Sequence, residues 1–156
     1  MYEIYLQSFV LYFVVIDPFG TTTIFMSLTQ HQNSHEKMKS AFEGVLTATI
    51  ILIFFSLVGN FLLTYLNISL GAFKIAGGII LFIISLEMLF DKRQERKEKD
   101  IENVSNNIAI FPLAIPLLSG PAAITSVIVI VSQFGDNFTY QLIGTTSLLS
   151  VMLLTL

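Results

Sequence analysis

Cysteine is absent from the chain. That excludes disulfides and thiolate metal sites, and it fits either side of a membrane equally well. Charge is scarce as well: 12% of the 156 residues are charged, against about 25% in an ordinary globular domain. No basic stripe with interleaved aromatics occurs, so nucleic acid is set aside as a partner; the net charge of −3 adds nothing on that point. Met1-Tyr2-Glu3 has no basic n-region and no small-residue cleavage site follows, so the first apolar segment is expected to be a retained span and not a signal peptide. What abounds is apolar: 54% of residues are hydrophobic and the mean hydropathy is +0.77. This is the composition of an all-α polytopic transmembrane helix bundle whose solvent is the lipid bilayer.

Two stretches interrupt the apolar runs at their middle. The first is Ile16-Asp17-Pro18-Phe19-Gly20. A charge at bilayer depth costs about 2.5–3.5 kcal/mol on insertion scales, and proline removes a helix donor and clashes with the preceding turn. The second is Ser119-Gly120-Pro121-Ala122. Breaks of this kind are tolerated only where protein or a water-filled cavity receives the freed backbone groups. The two are expected to meet and form a substrate- or ion-binding site. Its candidate residues are Asp17, Pro18, Gly20, Thr21 and Thr22 from the first break, with Ser119, Gly120, Pro121, Ala122 and Thr125 from the second.

In chain order, the first segment runs from about Ile4 to Thr29. One straight helix of that length would span about 39 Å, beyond the roughly 30 Å of a bilayer core, which predicts two half-helices joined at Asp17-Pro18. The Thr21-Thr22-Thr23 hydroxyls either cap the second half or face a cavity. A polar connection is expected from Gln30 to Ser40, with Asn33 or Ser34 as the next N-cap. His31 and His35 lie four apart without a nearby third ligand and read as a solvated loop. The second span runs from about Gly44 to Leu66, with Gly44 and Ala48 as a close-packing pair and Glu43 at its interface. Asn67-Ile68-Ser69 is a short turn. The third span, about Leu70 to Phe90, carries a small-residue surface of Gly71, Ala72, Ala76, Gly77 and Gly78. Lys74 either snorkels to the near interface or sets a cation beside a substrate pathway, and Glu87 reads the same way. Asp91 to Glu102 mixes both signs and is a solvated extension or linker. The fourth segment, about Asn107 to Ser132, contains Pro112, Pro116 and Pro121, and a fifth opens at Tyr140.

Lys37 and Lys39 follow span one, and five basic residues follow span three; the connections after spans two and four hold none. The positive-inside rule therefore predicts an outside N-terminus. Pro18 and Pro121 stand 103 residues apart, each near the middle of the first segment of its half. Three spans separate the two starts, so the halves are inverted. Inverted repeats with matching breaks point to a transporter site at the bilayer midplane. The expected organisation is one membrane domain over 1–156: a first three-helix repeat at 1–90, a cytoplasmic charged linker at 91–106, and a second repeat at 107–156 that is cut short on its C-terminal side.

Asp17-Pro18-Phe19-Gly20-Thr21-Thr22-Thr23-Ile24-Phe25, the run Pro112 to Thr125 and the stretch Leu70 to Phe82 resemble three motifs of the MarC family, also called UPF0056 or NAAT, of bacterial and archaeal inner-membrane proteins. Thr21 and Thr23 stand where that family usually has Asn and Pro, and Ser119 and Ala122 replace an alanine and a glycine. The resemblance implies six spans in a three-plus-three arrangement, as in the wider LysE-like exporters, a place in the plasma or inner membrane, and neutral amino acids as the substrate class suggested for some members.

The leading function is a secondary transporter or exporter of a small polar solute. Half-helix N-termini beyond the breaks offer N–H groups and positive dipole ends to a carboxylate; Asp17 offers its charge to an ammonium group, a proton or Na+ as coupling ion. An enzyme is not expected, since the interior has one clear carboxylate, no histidine, and in Ser119 a hydroxyl without an evident base. No cofactor is expected. The alternative is a non-transporting assembly or scaffold protein.

Overall fold

The computed structural model describes residues 1–89, 108–133 and 137–156. The charged linker, the middle of the Gln133–Thr139 loop (134–136) and the Glu87 side chain lie outside the described residues; Gln133, Phe138 and Thr139, expected in that loop, are helical. Among the described residues there is no strand. Six helices occur: α1 Tyr2–Ile16, α2 Pro18–Leu28, α3 Ser34–Tyr65, α4 Leu70–Leu89, α5 Pro121–Gln133 and α6 Phe138–Thr155, with an irregular proline segment, Ala109–Leu118, before α5.

Local chemistry places most of the boundaries. Asn33 accepts from the Glu36 N–H (2.9 Å) while the Glu36 carboxylate accepts from the Asn33 N–H (3.0 Å), a reciprocal cap that satisfies two end donors at once. This starts α3 at Ser34 and corrects the expected Gln30–Ser40 connection: its last seven residues are the first turns of a 32-residue helix, and the loop shrinks to Thr29–Asn33. The added turns stand outside the apolar run and carry the Lys39–Glu43 pair, 3.8 Å apart and the one ion pair among the described residues. α3 ends as expected at a short turn. Asn67 takes a positive φ of 56°, the Ile68 N–H reaches back to the Leu63 carbonyl (2.9 Å), and the Ser69 hydroxyl oxygen receives the Ala72 N–H of α4 (3.2 Å).

By length and composition three helical elements can cross a membrane: Tyr2–Leu28, Ser34–Tyr65 and Phe138–Thr155. The proline segment with α5 makes a fourth when the pair, bent by 54°, is counted as one span. α4, 20 residues long, stands where the third span is expected, but its apolar part, Leu70–Ile83, is shorter than the others and is not among these crossing elements. The core is one cluster drawn from α1, α2, α3, the proline segment, α5 and α6, centred on Tyr12, Ile16, Leu52, Leu118, Val127 and Leu148. Around it the surface is apolar. Phe54, Leu57, Phe61, Ile75 and Phe82 are all exposed, which lipid tolerates and water does not. Hydroxyls on this rim are internally bonded, as Thr23 to the Phe19 carbonyl (3.1 Å) and Ser85 to the Leu81 carbonyl (2.8 Å).

The small-residue surfaces divide. Gly44 and Ala48 are buried as expected, and a Cβ on Gly44 would strike the Leu113 side chain and sit 3.0 Å from the Ala109 carbonyl. On α4 only Gly77 is used, pressed on the Thr125 methyl of α5; Gly71 and Gly78 face open space. Gly78→Ala should therefore raise the thermal unfolding midpoint in detergent, by the equivalent of about 0.5–1 kcal/mol. Gly77→Ala should lower it, costing about 1–3 kcal/mol of overpacking. Equal midpoints would show that α4 does not rest on Thr125.

Candidate functional site

At the first break the expected division into half-helices is present. The Asp17 N–H closes α1 on the Phe13 carbonyl (3.0 Å), and the Asp17 carbonyl accepts the Thr21 N–H that opens α2 (2.9 Å). Asp17 itself is left-handed, φ 53° and ψ 70°. An L-residue pays about 1–2 kcal/mol for that conformation, and Asp and Asn tolerate it best because a short polar side chain can bond locally. The Asp17 carboxylate does so, accepting the Gly20 N–H at 3.1 Å. Pro18 fills the first helical position, where the missing donor costs nothing. A Cβ on Gly20 would overlap the carboxylate that its N–H binds, so any other residue there would make the Asp17 side chain shift.

The threonines do not cap α2; Asp17 does. The Thr21 hydroxyl, buried, donates to the Ile16 carbonyl (3.1 Å), an acceptor orphaned by the break. Thr22, exposed, donates to the Pro18 carbonyl (2.7 Å). With their protons committed, both oxygens can only accept further bonds.

The second break is built differently. Phe111 (φ −129°, ψ 123°) and Ile115 (φ −125°, ψ 123°) are extended, as residues before proline prefer to be, and both Phe111-Pro112 and Ile115-Pro116 are cis. The bonds that hold this segment reach back five residues, from the Leu113 N–H to the Ile108 carbonyl (3.2 Å) and from the Ser119 N–H to the Ala114 carbonyl (2.9 Å). The first half of segment four is thus not the regular half-helix its counterpart is. Ser119, which ends the proline segment, donates its hydroxyl to the same Ala114 carbonyl (2.7 Å). Gly120 lies against the Pro116 carbonyl, and α5 opens with the Ile124 N–H on the Gly120 carbonyl (3.1 Å). Pro121 is exposed; Ala122 and Thr125 are buried, the Thr125 methyl facing Gly77.

The two breaks share a neighbourhood. α1 packs on α5, and α2 touches the proline segment. Val15 and Ile16 before the first break belong to one core cluster with Leu118 and Ala122 around the second. Asp17 is the one charged residue from Ile4 to Leu28, and the stretch from Ile108 to Gln133 contains no charged residue. Among the described residues no group of three potential metal ligands converges; His31 and His35 are exposed, one in the loop and one in the first turn of α3. Lys74 is half-buried on α4. Sequence reasoning missed a polar face on α1: Tyr5, Ser8 and Tyr12. Their spacing of three and four in an otherwise apolar run was the available signal.

The family model described as "MarC family integral membrane protein" matches residues 2–156. A UPF0056 membrane protein of Methanocaldococcus jannaschii is 37% identical over 134 residues, covering 83% of this chain and 58% of its own length. One of Archaeoglobus fulgidus is 38% identical over 135 residues, 85% of this chain and 63% of that protein. One of Escherichia coli K12 is 33% identical over 132 residues, 82% and 61% respectively. The chain therefore spans about three fifths of the length of these curated relatives. No solved structure matches it.

Proposed function

The chain belongs to the MarC family of integral membrane proteins, and from that premise we propose that it is the greater part of a secondary transporter or exporter for a small polar solute, with neutral amino acids as the substrate class. The observation that carries this reading is Asp17, a carboxylate set in a left-handed, proline-flanked break inside a 27-residue crossing element. A purely structural break needs no charge at that depth, since asparagine caps equally well. Asp17 meets the ammonium group of a zwitterion, or a coupling proton or Na+; the N-terminus of α5, where Gly120 holds the cap position without a side chain, meets the carboxylate. Thr21 and Thr22 stand at the first break as acceptors, with Thr125 beside the second, and the reading includes no enzymatic step.

In this proposal the two halves are inverted repeats about a pseudo-two-fold axis in the membrane plane, and the N-terminus is outside. The parallel use of Gly20-flanked and Gly120-flanked prolines in two core-sharing segments supports the first part; an experimental structure with Pro18 and Pro121 on opposite membrane faces would refute it. Orientation is tested by His31→Cys, which should react with an impermeant thiol reagent only after permeabilisation. Function is tested with the full-length protein in proteoliposomes. Radiolabelled neutral amino acids should accumulate in response to a proton or Na+ gradient, and the transported solute should raise the unfolding midpoint by mass action. Absence of both effects across the amino acids would leave the non-transporting assembly reading in its place.

A further inference from the structure

Ser8 has no exposure, and its Oγ is, among the described residues, the one fully buried side-chain polar atom without a hydrogen-bond partner. Three hydroxyls buried as deeply behave differently. Thr29, Ser126 and Ser147 each donate to a backbone carbonyl of their own helix at 2.8–3.0 Å, the ordinary resting place for a hydroxyl on a membrane helix. Ser8 makes no such bond. It lies on the face of α1 shared with Tyr5 and Tyr12, and α1 packs chiefly on α6. Tyr5 donates across that seam to the Ser150 Oγ (2.9 Å), Tyr12 is buried, and α6 buries Gly144 and Ser147. The opposite face of α1, with Val10 and Val14, is exposed and apolar.

We propose that Tyr5, Ser8 and Tyr12 line one half of the solute path, closed in this conformation, and that the Ser8 hydroxyl is the hydrogen-bonding group offered to water or to a small neutral polar solute on its way along α1 to the Asp17 break. The proposal rests on the transport reading above. A path at this depth needs groups whose bonding capacity is not already committed to the backbone. Ser8 sits nine residues before Asp17, about 13 Å along a helix, on the polar face of a helix whose other face is lipid-like.

The chain contains no cysteine, so single-cysteine variants of the full-length protein in membrane vesicles report cleanly. A charged methanethiosulfonate reagent reacts with thiolate and so reads access to water. Ser8→Cys should be modified about tenfold faster than Val10→Cys, although Ser8 is 0% and Val10 51% exposed. A Ser8→Cys rate at or below that of Val10→Cys overturns the proposal. Should the cysteine variant fail to fold, Ser8→Ala decides: transport should fall several-fold while the unfolding midpoint holds or rises, because an unsatisfied buried hydroxyl has been removed. Wild-type transport in Ser8→Ala, with or without a lowered midpoint, overturns it. The labelling arm needs no transport activity, so a failed uptake assay counts against the transport reading and not against water access at Ser8.

Discussion

Asp17→Asn should cut transport at least about tenfold, the equivalent of about 1.4 kcal/mol, while the unfolding midpoint stays close to that of the wild type. Asparagine is as good an N-cap as aspartate, so the bond from the Gly20 N–H, 3.1 Å in the wild type, can be kept. Asparagine also tolerates the left-handed conformation that Asp17 adopts at φ 53°. Only the charge is lost, and with it the partner for an ammonium group, a proton or Na+. Asp17→Ala is the control for the cap: it removes the acceptor and should cost about 0.5–2 kcal/mol of stability. Transport by Asp17→Asn at the wild-type rate, with unchanged proton and Na+ dependence, would reduce Asp17 to a cap.

Gly120→Val should disrupt both folding and transport. A Cβ at Gly120 would stand 2.5 Å from the Pro116 carbonyl oxygen. That neighbour is backbone, so no side-chain rotation relieves the contact. Overpacking of this kind costs about 1–3 kcal/mol, and the γ-methyls of valine add to it. The substitution also falls at the 54° bend, so any accommodation re-aims α5, and with it the N-terminus proposed to receive the substrate carboxylate. Gly71→Val, where nothing lies within 4 Å of the new Cβ, is the matched control and should fold and transport as the wild type does. A Gly120→Val midpoint equal to that of Gly71→Val would mean that the Pro116 carbonyl yields cheaply and the bend is not tightly set.

Much of this architecture was legible in the residues because its causes are local. A bilayer-length apolar run with a proline in its middle must break there, wherever the helix is packed, and both breaks fall at the expected dipeptides. The cap of the second half-helix comes from the Asp17 carboxylate and not from the threonines. Asn33 caps α3 as expected, but Ser34 to Ser40, a polar stretch expected as connection, is already helix. Less legible were Pro112 and Pro116, where two prolines four apart do more than break a half-helix. They leave extended residues and five-residue backbone bonds in place of regular turns.

The sequence by itself determined the membrane class, the all-helical architecture and the position of the two breaks, because hydropathy, proline geometry and short-range capping act within a few residues. Only the tertiary structure decided that the first break runs on as one crossing element while the second bends by 54°. It alone selected Gly77 over Gly71 and Gly78 as the contact of α4, tied the Ser119 hydroxyl to the Ala114 carbonyl and left the Ser8 hydroxyl unbonded in the α1–α6 seam. Each of these depends on which neighbour occupies the space beside a residue, and several chemically equivalent glycines and hydroxyls compete for every such place.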